Sequence, residues 1–181
     1  MPRSSMNDST HRYFITATIT DWIQLFQEPS YAQIILQSLG WHRENYRLFL
    51  FAYVVMPSHW HAIIKPIDMT IGMCLQSLGS YTAHQIIKLL KSDGRSDVLS
   101  IFQLKKRDKR SQYSVWQEIF SENIFSEKFL KQKMEYVHNN PVAKKKLCGD
   151  RADYLYSSAC YYDLKKEPII KIDDVNDYLC S

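Results

Sequence analysis

Two histidines one residue apart, His59-Trp60-His61, stand inside an apolar run that begins at Tyr53 and resumes at Ala62-Ile63-Ile64. Side chains alternate faces along a β-strand, so His59 and His61 share one face and Trp60 enters the other. Two imidazoles on a rigid strand make half of a divalent-metal site. The same histidines also fit a plainer role as partly buried strand residues, and the pair alone does not separate the two readings. Metal-dependent barrels that carry such pairs need about 250 residues, whereas this chain has 181. Any further ligands must come from another part of this short chain, from water or from a substrate phosphate.

A second constellation lies in Glu135-Tyr136-Val137-His138-Asn139-Asn140-Pro141-Val142. Tyr136 and Asn140 are four apart, which places them on one helical face, one turn from each other. The phenol offers a nucleophile and the carboxamide a further ligand. Taken singly, Tyr136 also reads as a ring at the edge of a helical stripe, and Asn140 as the residue that ends a helix before proline. A residue before proline is pushed away from helical angles, so Asn139 is the alternative ligand. Helical spacing turns Glu135 and His138 away from the Tyr136 face.

The elements that must position these groups are legible in outline. His11 to Thr20 is aromatic and β-branched, a strand. Pro29-Ser30 opens a helix to about Trp41, with Ser30 as candidate N-cap. Tyr46 to Met56 and Trp60 to Lys65 are strands joined so tightly at Pro57-Ser58 that they form an antiparallel hairpin. Ile71 to Lys91 is a long amphipathic helix. Ser92 to Gln112 reads as a polar, basic loop with an apolar island at Val98 to Leu104. Tyr113 to Phe120 is a fourth strand. Ser126 caps a last helix whose stripe is Phe129, Leu130, Met134 and Val137, and Pro141 stops it at about Asn140. The order β-α-β-β-α-β plus a further helix predicts an α+β, ferredoxin-like (split βαβ) fold. Its antiparallel sheet has helices on one face and an added C-terminal helix, the one that carries Tyr136.

With 45% hydrophobic residues the chain supports one domain with a real core. Residues 1–10 read as a disordered N-terminus, 11–145 as one domain carrying both constellations and 146–181 as an extension packed on it. The net charge of +4 is compatible with nucleic acid. Its distribution says more: Lys105, Lys106, Arg107, Lys109 and Arg110 form one basic run, and Lys144, Lys145 and Lys146 another. Such runs are commonly solvated loops. Cys74, Cys148, Cys160 and Cys180 lack zinc-site spacing and read as reduced thiols. No apolar stretch approaches the roughly 20 residues that span a bilayer, so a soluble, cytoplasmic protein with no membrane partner is expected.

Taken together, Val55-Met56-Pro57-Ser58-His59-Trp60-His61, Trp116-Gln117, Phe120, Tyr136 to Val142 and Tyr156-Ser157-Ser158 resemble the single-tyrosine HUH transposases. The branch they look most like is that of the transposase-like proteins associated with repetitive extragenic palindromes (REP). The similarity runs from about His11 to Tyr162. It implies that His59 and His61 are metal ligands with Asn140 as the third, that the metal is Mg²⁺ or Mn²⁺, and that Tyr136 is the nucleophile. It further implies that single-stranded DNA near hairpins is nicked and rejoined through a 5′-phosphotyrosine during transposition, in proteins that include homodimers. Lys105, Lys106, Arg107, Lys109, Arg110, Lys144 and Lys145 would contact phosphates. Tyr154, Tyr156, Tyr161 and Tyr162 would either stack on unpaired bases or pack the tail onto the domain. Two other readings are a non-catalytic nucleic-acid-binding ferredoxin-like module and a metal-dependent phosphoesterase.

Overall fold

A computed structural model describes residues 11–106, 111–143 and 147–178. The strands are β1 (Arg12–Ile19), β2 (Leu48–Met56), β3 (His59–Pro66) and β4 (Trp116–Ile124). They form one sheet of order β2-β3-β1-β4, antiparallel at every pairing. The helices are α1 (Pro29–Glu44), α2 (Ile71–Ser92), α3 (Ser96–Leu104), α4 (Glu127–Ala143) and the short α5 (Ala159–Leu164). The split βαβ arrangement predicted from element order is the one observed.

Alternation along the strands divides the sheet into two faces, each with its own core. Ile15, Ala17, Ile19, Trp60, Ala62 and Ile64 pack with Ile35, Leu36 and Leu39 of α1 and Leu78, Ile86 and Leu90 of α2. Phe14, Val54, Met56 and Ile63 face the other way, against Leu130 and Val137 of α4. Trp60 is therefore buried beneath α1 and α2, while its neighbours His59 and His61 lie on the α4 side. Burying such a ring contributes about 1.5–3 kcal/mol or more, which makes a one-residue register slip in β3 expensive.

Several boundaries differ from expectation, each for a physical reason. Residues 96–104 form a helix rather than a loop, because Val98 and Phe102, four apart, bury together in the α1–α2 core. So short a helix depends on that tertiary packing. Strand β2 starts at Leu48, since Tyr46 occupies a left-handed turn (φ 52°) after α1. Helix α1 starts at Pro29, with Glu28 rather than Ser30 at the N-cap position; proline's fixed φ suits the first helical residue. Strand β4 lies later than expected, and its alternation is masked by Glu118 and Glu122 on the α4-side face. Helix α4 carries on through Pro141 to Ala143. Proline removes one donor near the helix end, where few intrahelical bonds remain to be lost.

The C-terminal segment is packed onto the domain. It covers the outer edge of β2, with the Val55 amide donating to the Tyr156 carbonyl (2.9 Å) and the Ser158 amide to the Tyr53 carbonyl (3.1 Å). Tyr154 and Tyr162 donate to the Val55 and Phe51 carbonyls at 2.9 and 2.8 Å. These two tyrosines pack the tail. Pairing this edge removes a row of open backbone groups that would otherwise template aggregation. Among the described residues no helix is long and apolar enough to cross a membrane.

Candidate active site

The sheet register sets out the site. Directly opposite residues of neighbouring strands share a face. One row on the α4 side therefore reads Met56, His59, Thr18, Glu118, and the next Val54, His61, Thr16, Phe120. His59 and His61 are both buried, with ring centroids 5.0 Å apart.

Each imidazole has a hydroxyl at Nδ1: Thr16 Oγ1 lies 2.8 Å from His61 Nδ1, and Ser58 Oγ 3.3 Å from His59 Nδ1. With the hydroxyl accepting, the proton sits on Nδ1 and the lone pair on Nε2. A second hydrogen-bonding group that fixes the tautomer is the usual companion of a metal-binding histidine. Thr16 is invisible as a site residue in the sequence, because only the strand order reveals that β1 lies beside β3.

Helix α4 crosses this face and brings Tyr136 to the histidines. Its ring stands edge-on to His61 with centroids 5.2 Å apart, and edge-on to Phe14 at 5.6 Å. Phe14 in turn stacks on His61 at 5.3 Å. Tyr136 remains 36% exposed, so the ring is held by packing while open to solvent.

Lys133, one turn before Tyr136, is also part of this cluster. Its ammonium lies 4.3 Å from the Phe14 ring centroid and 5.9 Å from that of Tyr136, and it pairs with Glu122 at 2.6 Å. Its three-residue spacing from Tyr136 is a signal present in the sequence, but Glu122 and Phe14 come from distant strands.

The two asparagines part company. Asn139 donates to Glu135 Oε2 (3.0 Å) and accepts from Arg151 (3.4 Å), so its amide is bound to the tail side of α4. Asn140 is buried; its Nδ2 donates to the Tyr136 carbonyl (3.2 Å), and its Oδ1 has no hydrogen-bond partner among the described residues. A buried carbonyl oxygen without a partner is costly in isolation. It suits an oxygen that binds a cation.

Two imidazoles and one carboxamide oxygen are thus the donors to be tested for a metal. Imidazole nitrogen and amide oxygen are donors that suit a divalent ion, which would take its remaining ligands from water or phosphate oxygens. Among the described residues no group of three or more His, Cys, Asp or Glu forms a metal cluster.

The neighbours of Tyr136 on α4 serve the tail. His138 is buried with Nε2 3.0 Å from Ser158 Oγ. Burial, aided by the charge of Arg151, pushes its pKa down to about 4. Arg151 pairs with both Glu135 (2.6 Å) and Asp163 (2.7 Å), and its hydrogen bond lowers the Asp163 pKa.

Of the predicted phosphate-contacting residues, Lys105 follows α3 and pairs with Asp21 at 3.2 Å, and Lys106 is exposed. Arg107, Lys109, Arg110, Lys144 and Lys145 lie outside the described residues.

No family model matches the sequence, and no curated protein matches it. Among solved structures, the chain is similar to a REP-associated tyrosine transposase bound to a REP hairpin. The TM-score is 0.63 at 15% identity, over 97% of this chain and 93% of that one. A candidate transposase from Deinococcus radiodurans R1 matches at 17% identity and a TM-score of 0.44, over 77% of this chain and 97% of that one. The first likeness shows a shared fold over nearly the whole length of both chains.

Proposed function

We propose that this protein is a cytoplasmic transposase-like enzyme that nicks and rejoins single-stranded DNA beside hairpins, through a 5′-phosphotyrosine on Tyr136. The observation that carries the reading is the edge-on approach of Tyr136 to His61 within one chain. The buried Asn140 Oδ1 one helical turn on, with no hydrogen-bond partner among the described residues, adds support, as does a fold shared with a REP-associated tyrosine transposase bound to a REP hairpin. In this reading residues 11–145 are the catalytic domain, 146–181 brace it, and the tyrosine serves the histidines of its own chain.

His59, His61 and Asn140 would hold Mg²⁺ or Mn²⁺, whose chemistry when bound would be Lewis-acid polarisation of a phosphodiester oxygen. Tyr136 Oη attacks that phosphorus and the bond to the 3′ oxygen breaks. The phenol proton passes through solvent to the departing oxygen, which leaves as a 3′-hydroxyl. One phosphodiester replaces another, so the step is nearly balanced in energy and a 3′-hydroxyl can reverse it without ATP. Lys133 holds the Tyr136 and Phe14 rings from one side and places a positive charge beside them. Lys105 and Lys106, with Arg107, Lys109, Arg110, Lys144 and Lys145, meet backbone phosphates and supply salt-dependent affinity.

The test is a 3′-labelled hairpin oligonucleotide with single-stranded flanks, incubated with protein and Mg²⁺ and run on a denaturing gel. The wild type is expected to give a labelled protein–DNA adduct and Tyr136→Phe none. Equal behaviour of the two would remove Tyr136 as nucleophile. Cleavage without an adduct would favour the phosphoesterase reading, and binding without cleavage the non-catalytic module.

A further inference from the structure

We propose that Trp22 is a stacking platform for an unpaired nucleobase next to the histidine pair, with Lys105 meeting the adjoining backbone phosphate. The inference deepens the reading above and rests on its single-stranded DNA substrate.

Strand β1 ends at Ile19, and two of the next three residues take a conformation that side chains rarely adopt. Asp21 and Trp22 both have left-handed backbones, with φ of 55° and 56°. This region is sterically disfavoured for any residue with a Cβ, and more so for a bulky one. The turn is held from both sides. Thr20 donates its amide to the Val115 carbonyl (2.9 Å) and its hydroxyl to the Ser114 carbonyl (2.7 Å). The Asp21 amide donates to Gln117 Oε1 (3.2 Å), and beyond the turn the Phe26 amide donates to the Pro57 carbonyl (2.9 Å). Leu25 and Phe26 are buried.

What this anchored turn displays is an indole. Trp22 is 56% exposed, and its ring stands edge-on to His59 with centroids 5.5 Å apart. A large apolar ring pinned in a disfavoured conformation and left in water adds little to the core. Strain of this kind collects at ligand-contacting positions. On the same face, Phe120 is 49% exposed and lies in one row with Thr16 and His61. Two open rings therefore flank the candidate metal ligands, the arrangement by which proteins take successive bases of a single strand.

Lys105 completes the subsite. Its ammonium pairs with Asp21, next to Trp22 in sequence, and both side chains are more than two-fifths exposed. An exposed pair of this kind is weak. A phosphate can replace Asp21 at the ammonium at little cost.

The experiment measures binding by fluorescence anisotropy in the Tyr136→Phe background, where no covalent product forms. The probes are a labelled hairpin with a single-stranded flank and the same hairpin blunt-ended. Two variants are compared with the parent. Trp22→Gly suits the left-handed backbone and keeps the turn, while Trp22→Phe keeps an aromatic face. Trp22→Gly is expected to bind the flanked hairpin roughly tenfold or more weakly, to bind the blunt hairpin unchanged, and to melt no lower than the parent. Trp22→Phe is expected to restore most of the loss. Flank affinity within twofold of the parent in Trp22→Gly overturns the proposal, as does an equal loss on both hairpins. Adduct formation by protein with Tyr136 intact is scored separately. An adduct with no Trp22 dependence removes only the platform, and Trp22-dependent flank binding with no adduct removes only the catalytic reading. A parent that binds neither probe overturns both.

Discussion

The Tyr136 ring meets the His61 ring edge-on at 5.2 Å, across 75 residues of sequence (136 − 61 = 75), and Phe14 fills the angle between them. The packing is dry on one side and open on the other. Thr16 and Asn140 bear on the site around this contact, and Ser158 and His138 on the tail side of α4.

Thr16 acts on His61 through the 2.8 Å contact at Nδ1. Thr16→Val keeps the side-chain shape and removes the hydroxyl. Loss of a group of this kind behind a metal ligand commonly reduces metal affinity or activity by about 10–100-fold. The expected result is a rise in the Mn²⁺ concentration needed for half-maximal adduct formation, with DNA binding in the absence of metal unchanged. An unaltered metal requirement would remove Thr16 from the site.

Asn140 and Asn139 are adjacent, yet of the two it is Asn140 that presents a buried oxygen with no hydrogen-bond partner among the described residues. Asn140→Ala should abolish metal-dependent adduct formation, while Asn139→Ala should leave it largely intact and loosen the tail by breaking the contacts to Glu135 and Arg151. Titration of both variants with Mn²⁺, followed by isothermal calorimetry, distinguishes them. The reverse ranking would make Asn139 the ligand.

Ser158 is fully buried between β2 and α4. Its Oγ accepts from the Tyr53 amide at 3.0 Å and meets His138 Nε2 at 3.0 Å. Ser158→Ala leaves both groups buried without that partner, at a cost of about 1–3 kcal/mol for each group left unsatisfied. Urea unfolding should show a lower midpoint with little change in slope. A midpoint equal to the wild type would mean that water replaces the hydroxyl.

His138 makes stability depend on pH. Its folded pKa is depressed to about 4 from an ordinary value of 6.5, so below pH 6.5 the unfolded chain binds a proton that the folded one refuses. Stability is fully present above about pH 6.5, falls as pH drops towards 4, and levels off once the folded imidazole also protonates. The loss is on the order of 3 kcal/mol. His138→Gln should flatten this acid limb in a series of urea titrations. Buried His42, whose pKa is also lowered by desolvation, should retain part of the slope.

Much of this molecule is legible in the sequence alone, and the reason is local. Alternation in β2 and β3 and the tight Pro57-Ser58 turn put His59 and His61 on one face, and spacing of four put Tyr136 and Asn140 on one side of α4. Pro141 misled, because proline near a helix end removes a single bond and the last turn persists. The loop expected over 92–112 misled as well. The helix within it owes its form to the burial of Val98 and Phe102 against elements far away in the sequence.

The sequence by itself determined the β-α-β-β-α-β frame, though not α3 within it, and which side chains of one strand or helix share a face, because these follow from periodicities of two and 3.6 along the chain. Only the tertiary structure decided that Thr16 stands behind His61, that Phe14 and Lys133 brace Tyr136, and that Asn139 turns to the tail while Asn140 stays buried. It also decided that Trp22 stands beside His59. Each of those is a contact between elements that sequence separation hides. Pairing register, crossing of α4 over the sheet and burial of the tail set them, and none of the three is encoded in the spacing of neighbouring residues.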